Sequence, residues 1–315
     1  MVKPTVGLTV SNNSIINKEI KMRHLLTTVT LILIMGCTEQ PSVKTAHQPI
    51  IEKPNNTSIE KKALIVGVSD YKGEAHDLDG VKIDVVNMEN LFHEWGFDVT
   101  VVKDKDSMNL EDYLERYERL DSNDKFIFYY SGHGSHTKDE SGDEDDGEDE
   151  ALVLSDGEEN ELFLDDSLFG YLNSIKAQKM VMLDSCHSGT AFKAFDDNQP
   201  KPKSLASDMK HLFKVIKTKI FPTTIINSGE YVVFSASQDK EQSLDTQTGG
   251  MFTKAFYKEM RENNGKEKRM ENLRGAMANN IRTWCKSTNS KAHHPNLSAS
   301  SDRLRYRSIG EFLGL

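Results

Sequence analysis

"FIFYYSGHGSH" (residues 126–136) and "KMVMLDSCHSG" (179–189) are built alike. Each is a short apolar run that stops at small residues wrapped around one reactive side chain, His133 in the first and Cys186 in the second. Around them, apolar runs alternate with segments of helical period. "KKALIVGVSDY" (61–71) ends in turn chemistry, residues 81–95 put apolar side chains at helical spacing, and "GFDVTVV" (96–102) returns to strand. A helix over 109–120 leads into "KFIFYY" (125–130); "ALVLSD" (151–156), a helix over 166–175, "KMVMLD" (179–184) and "YVVFSAS" (231–237) continue the series. Buried runs alternating with amphipathic helices predict an α/β fold, a mainly parallel sheet with helices on both faces. In such sheets ligands bind outside the carboxyl ends of the strands. His133 and Cys186, each just past a strand end, therefore face one cleft.

Cysteine attacks as the thiolate, and a neighbouring imidazole takes its proton or stabilises its charge. Glycines 132, 134 and 189 let a substrate backbone approach closely and leave backbone N–H groups free to point at a developing oxyanion. The chemistry these residues suit is acyl transfer. His136 and His187 are alternative bases, although a side chain adjacent to Cys186 normally points elsewhere. The three cysteines, Cys37, Cys186 and Cys285, show no paired spacing, which argues against a disulfide framework or a cysteine zinc site. With 315 residues, 37% hydrophobic and 28% charged, the chain is long enough for one globular domain with extensions.

At these residues the sequence resembles the metacaspases and their bacterial caspase-like relatives. "YYSGHGS" and "DSCHSG" resemble that family's His and Cys motifs, and "LDGVKIDVVNM" (78–88) its first helix entry. "YVVFSASQDKEQS" (231–243) and "GGMFTKAF" (249–256) resemble segments of the small C-terminal subunit, and "HHPNLSAS" (293–300) its last strand. The resemblance implies a caspase-like fold, with a large catalytic portion over 61–199, a connection over 200–228 and a small portion over 229–315. It implies a cysteine endopeptidase in which Cys186 attacks and His133 protonates the leaving amine. N–H groups of Gly134 and Cys186 would hold the oxyanion. The alternative is an inert caspase-fold binding module displayed at a membrane.

A pocket for a Lys or Arg side chain needs carboxylates, whereas one for Asp needs arginines. Asp84, Ser131 and Asp184 line the basic specificity pocket by resemblance, and no arginine occurs between Lys61 and Asp112. The expected partners are therefore peptides or proteins with Lys or Arg before the cut bond. The chemistry requires no cofactor, but the resemblance implies calcium as an activator bound through Asp149, Asp165 and Asp166. The family's fourth aspartate position is Lys193 here, with Asp196 or Asp197 as replacements. The charge is local: residues 138–166 hold fifteen acids and one lysine, net −14, against −10 for the whole chain, which leaves +4 elsewhere. This acidity excludes nucleic acid as an expected partner.

Residues 200–228 form a long connection with six lysines, Lys201, Lys203, Lys210, Lys214, Lys217 and Lys219. One reading of part of it, "DMKHLFKVIKTKIF" (208–221), is a short amphipathic helix that docks on the sheet; the other is a processing site. An enzyme with an acidic pocket carries its own cleavable lysines here at high effective concentration, so self-cleavage is expected.

The N-terminal residues do not read as fold. "MRHLLTTVTLILIMGC" (22–37) has a basic start, an apolar run too short to span a bilayer, and an ending that resembles a bacterial lipoprotein signal. Residues 1–21 then lie upstream of the start, Cys37 carries lipid, and 38–60, rich in Pro, Asn, Gln, Ser and Thr, is a tether. The expected location is the periplasmic or outer-membrane face of a bacterial envelope. Cys37→Ser is predicted to release the protein from membranes or leave an uncleaved precursor; unchanged fractionation and intact mass would contradict lipidation.

Overall fold

The computed structural model describes residues 58–138, 148–186, 200–205, 213–215, 229–238 and 241–315. The Cys37 segment, residues 139–147 of the acidic run, Lys193, Asp196 and Asp197 lie outside them. The chain runs through β1 (Lys61–Gly67), α1 (Gly80–Glu94), β2 (Asp98–Lys103), α2 (Leu110–Glu115) and β3 (Lys125–Ser131). There follow β4 (Gly134–Lys138), β5 (Glu148–Ser155), β6 (Asn160–Leu164), α3 (Asp165–Ser174), β7 (Gln178–Asp184), β8 (Lys201–Pro202) and β9 (Phe213–Val215). The last elements are β10 (Tyr231–Ser235), β11 (Leu244–Asp245), α4 (Met251–Glu262), α5 (Met270–Ser287), β12 (Asn296–Ala299), α6 (Asp302–Arg305) and α7 (Ile309–Leu313).

The central sheet has the order β12-β10-β7-β3-β1-β2, parallel except for β12. Its middle strands are buried nearly end to end, as a sheet covered on both faces demands: Phe126 to Tyr130 and Met180 to Met182 are inaccessible to solvent. The chain steps from β1 outward to β2 and then back across β1 to β3. Right-handed crossovers in opposite directions put α1 and α2 on opposite faces of the sheet. The helices α1, α4 and α5 pack in series, and α2 packs on α3. Side chains from both the 61–199 and the 229–315 portions share one core, which includes Val66, Phe128, Met180, Phe234 and Phe256.

Two sequence expectations are corrected. "ALVLSD" is not a strand of the central sheet: it lies in β5, within a second sheet ordered β4-β5-β6-β9. β5 pairs antiparallel with β4 and β6. A short buried apolar run has the same appearance in either sheet, because its partners lie far off in sequence. Likewise Phe213–Val215, expected within a helix, is strand β9 and pairs parallel with β6.

Candidate active site

Strands β3 and β7 are neighbours with Ser131 opposite Asp184. The two chains therefore leave the sheet together, and two residues later each delivers its reactive group. Cys186 is fully buried, and its Sγ donates to the Glu241 carbonyl at 2.7 Å. His133 Nε2 sits 2.7 Å from the His76 carbonyl, in a short 3-10 helix, Glu74–His76. A carbonyl only accepts, so Nε2 carries the proton and the Nδ1 lone pair is free to act as base. Nδ1 is buried and makes no hydrogen bond. Burial drives the His133 pKa down to about 3, so the ring is neutral at neutral pH.

The histidine is fixed by two tyrosines. Its backbone N–H donates to the Tyr71 hydroxyl at 2.7 Å, and the Tyr71 ring lies 4.5 Å from the imidazole, centroid to centroid. The Tyr130 hydroxyl donates between the His133 carbonyl at 2.7 Å and the Val153 carbonyl at 2.8 Å. Glycine is required between them: a Cβ on Gly132 would stand 2.5 Å from the Tyr130 hydroxyl and 2.7 Å from that of Tyr71. Asp104 holds the turn that carries Tyr71, its Oδ1 accepting from Ser69 N at 2.7 Å and Asp70 N at 3.1 Å.

A segment of the chain itself crosses this site. Lys201–Pro202 pairs antiparallel with Leu244–Asp245, and Lys203 N donates to the Ser243 carbonyl at 2.9 Å. The Lys203 carbonyl accepts from Gly134 N and from Cys186 N, each at 3.0 Å. These are the two N–H groups that sequence reasoning assigned to an oxyanion. The Lys203 side chain has no solvent exposure, and its Nζ lies 2.7 Å from Ser131 Oγ, 3.1 Å from Asp84 Oδ2 and 3.1 Å from Asp184 Oδ2. Asp84, Ser131 and Asp184, read from the sequence as one pocket, thus meet at one cation. Burial opposes the ammonium charge, but the surrounding carboxylates overcome this and hold the Lys203 pKa above the ordinary lysine value.

The acids are also held by helix starts. Gly250 N, at the start of α4, donates to both oxygens of Asp84, and Thr253 donates to Asp184 Oδ2 through N and Oγ1. The positive end of the helix macrodipole favours carboxylates here. A Cβ on Gly250 would lie 2.3 Å from Asp184 Oδ2, so this helix entry has no room for a side chain.

Sequence reasoning missed four contributors: Tyr71, Tyr130, the Glu241 carbonyl and Asp245. Asp245 Oδ2 accepts from Gly80 N at the start of α1, and its buried Oδ1 stands 3.9 Å from Lys203 Nζ. Nothing local marks it, because it reaches the pocket from 165 residues beyond its partner Gly80. His136, the alternative base, lies on β4 with Nε2 3.6 Å from Glu148 Oε1, and His187 and Gly189 fall outside the described residues. Asp149 is on β5 and Asp165 and Asp166 open α3. Among the described residues no group of three or more His, Cys, Asp or Glu has the arrangement of a metal site.

Residues 60–305 match the family model of the caspase domain, and the protein belongs to that family. It is similar to Metacaspase-1 of Meyerozyma guilliermondii, 32% identical over 154 residues, which make up 44% of this chain and 37% of that protein. Metacaspase-1 of Pyricularia oryzae is 34% identical over 148 residues, 42% of this chain and 37% of that one. The matched stretch thus spans little more than a third of either relative. A Geobacter sulfurreducens protein of known crystal structure shares the fold, with a TM-score of 0.60 at 22% identity over 79% of this chain and 97% of that one.

Burial pushes the Asp245 carboxyl up to about 7 against the pull of Lys203. Its folded pKa is thus above the unfolded one, so its stabilisation is complete in acid and is lost as pH rises through about 7. In a Cys186→Ala background, Asp245→Asn is expected to flatten part of the stability loss between about pH 5 and about pH 8. Denaturant unfolding across that range checks this; a parent-to-variant difference that does not change with pH would contradict it.

Proposed function

We propose that the chain is a cysteine endopeptidase that cleaves after Lys or Arg through Cys186 and His133, and that its first substrate is its own Lys203–Ser204 bond. One observation carries this reading: the Lys203 carbonyl accepts from Gly134 N and Cys186 N while the same residue's ammonium sits among Asp84, Asp184 and Ser131. Two convergent N–H groups, one of them the nucleophile's own, suit a carbonyl that will become an oxyanion.

In this reading His133 Nδ1 takes the Cys186 thiol proton. The thiolate attacks the Lys203 carbonyl carbon, and negative charge moves to the oxygen held by the two N–H groups. Collapse breaks the bond to Ser204, whose nitrogen leaves with the proton from His133 Nδ1. Water, deprotonated by the same nitrogen, then hydrolyses the Lys203 thioester and restores the thiol. Before attack, Sγ must give up its hydrogen bond to the Glu241 carbonyl. Of the six lysines named from the sequence, Lys203 is the one this geometry favours. Lys201 Nζ instead lies 3.2 Å from the Asp77 carbonyl. The inert-module reading predicts an intact chain.

Purified wild type is expected to yield two fragments ending at Lys203 and beginning at Ser204, still associated through the shared core. Cys186→Ala and His133→Ala should each slow this by about a thousandfold or more, since members of a catalytic unit fail together. Intact-mass analysis is the readout. A wild type that hydrolyses Arg or Lys peptides but never cuts this bond would refute the self-processing part, and preferential cleavage after Asp would refute the specificity.

Calcium activation is part of the proposal. The β5–β6 register, Ala151 opposite Leu164, brings Asp149 to the end of the pair where Asp165 and Asp166 begin α3. Calcium takes six to eight oxygens, so further ligands would have to come from elsewhere. Activity is expected to fall in chelator and return with calcium, and Asp165→Ala with Asp166→Ala should abolish that response; equal rates in chelator would remove calcium from the scheme. Attachment to an envelope membrane through Cys37 belongs to the same proposal.

A further inference from the structure

The strand that crosses the cleft continues beyond Lys203, and there it meets a second built surface. Ser204 forms a parallel bridge with Gly134. Leu205 N donates to the Gly134 carbonyl at 2.9 Å, and the Leu205 carbonyl accepts from Ser135 Oγ at 2.9 Å. Gly134 is therefore used twice by the crossing strand, its N–H by Lys203 and its carbonyl by Leu205. Its other neighbour is β5, where it stands opposite Leu152. β4 is an edge strand of its sheet, and its open edge takes the peptide as an added strand.

The side chains on this stretch are enclosed as fully as Lys203 itself. Leu205 has 0% exposure and joins the apolar core, and Ser204 has 1%. Ser204 Oγ is buried without a hydrogen-bond partner, so its site recognises small size and not a hydroxyl. Ser135, which supplies the hydroxyl to Leu205, is itself fully buried and hence held in place.

We propose that the Gly134–Ser135 edge is a recognition site for the residues that follow the cut bond. It takes a small residue first and a bulky apolar residue second, so that the preferred substrates read Lys or Arg, then small, then Leu-like. The inference rests on the reading of Lys203–Ser204 as the scissile bond and adds a determinant on the far side of it. Specificity then comes from two separate sources. Charge selects the residue before the cut, and burial with backbone pairing selects the second residue after it.

The test uses the full-length wild type with two kinds of substrate. A coumarin amide of a Lys peptide has nothing but the dye after the lysine and reports peptidase activity alone. Quenched peptides that carry Pro-Lys-Ser followed by Leu, Ala or Asp report the second position. Leu is expected to exceed Ala in kcat/KM by about tenfold, and Asp by more, as apolar pockets discriminate. An ester replacing the amide before Leu removes the N–H that Gly134 accepts and should lower kcat/KM by about fivefold. If the coumarin substrate is cleaved but Leu, Ala and Asp peptides differ less than about twofold, this proposal fails and the peptidase reading stands. Preference for Asp at that position likewise overturns it. If neither kind of substrate is cleaved, the peptidase reading fails and takes this proposal with it.

Discussion

One buried ammonium group, Lys203 Nζ, ties together parts of the chain that sequence keeps far apart. Asp84 comes from α1, Asp184 from the end of β7 and Asp245 from β11. Buried carboxylates without a cation are costly, and removing one partner of such a cluster costs about 3–5 kcal/mol. The pocket is nonetheless prepared without the lysine. Asp84 and Asp184 rest on the start of α4, and Asp245 on the start of α1, so fixed backbone dipoles hold each acid in place. Each portion of the chain caps a helix of the other with an acid. That reciprocity explains why the pocket is formed jointly by segments before and after the 200–228 connection.

The same economy appears in the sheet. The register that sets Ser131 opposite Asp184 puts both of those side chains against the Lys203 cation. Two residues further on, it releases His133 and Cys186 side by side from adjacent strands. A slip of one residue in either strand would turn every side chain to the other face and dissolve pocket and dyad together. Residues that would select the substrate and residues that would attack it are therefore fixed by one pairing. The tyrosines add the final constraint, since the His133 backbone is pinned at its N–H by Tyr71 and at its carbonyl by Tyr130.

What could be read from the sequence follows from this geometry. His133 and Cys186 stand among small residues at strand ends, so local pattern was enough to single them out, whereas Asp84, Ser131 and Asp184 were marked as a pocket only by the family resemblance. The central strands were legible because they are short continuous apolar runs, and the helix over 165–174 because it falls between two such runs. Strand β5 was assigned to the wrong sheet because burial of a short run does not identify its neighbours. Asp245, Tyr71 and the Glu241 carbonyl act across long separations, and a backbone carbonyl leaves no trace in residue type at all. Lys203 stood among six lysines with nothing to distinguish it until its carbonyl was seen between two N–H groups.

On the reading advanced above, cutting the Lys203–Ser204 bond does not by itself empty the cleft. The end that stops at Lys203 keeps the ion cluster and its pairing with β11. The end that starts at Ser204 keeps the Gly134 carbonyl, the Ser135 hydroxyl and the buried Leu205. Both ends remain covalently joined to the rest of the chain, which keeps them at a high effective concentration near their own sites. A foreign peptide must therefore displace a tethered product on both sides of the catalytic pair. Bond cleavage and access to the site are then two separate events. The strength of the carboxylate cluster governs the second as well as the first, because the charge that positions Lys203 for attack also holds it as product.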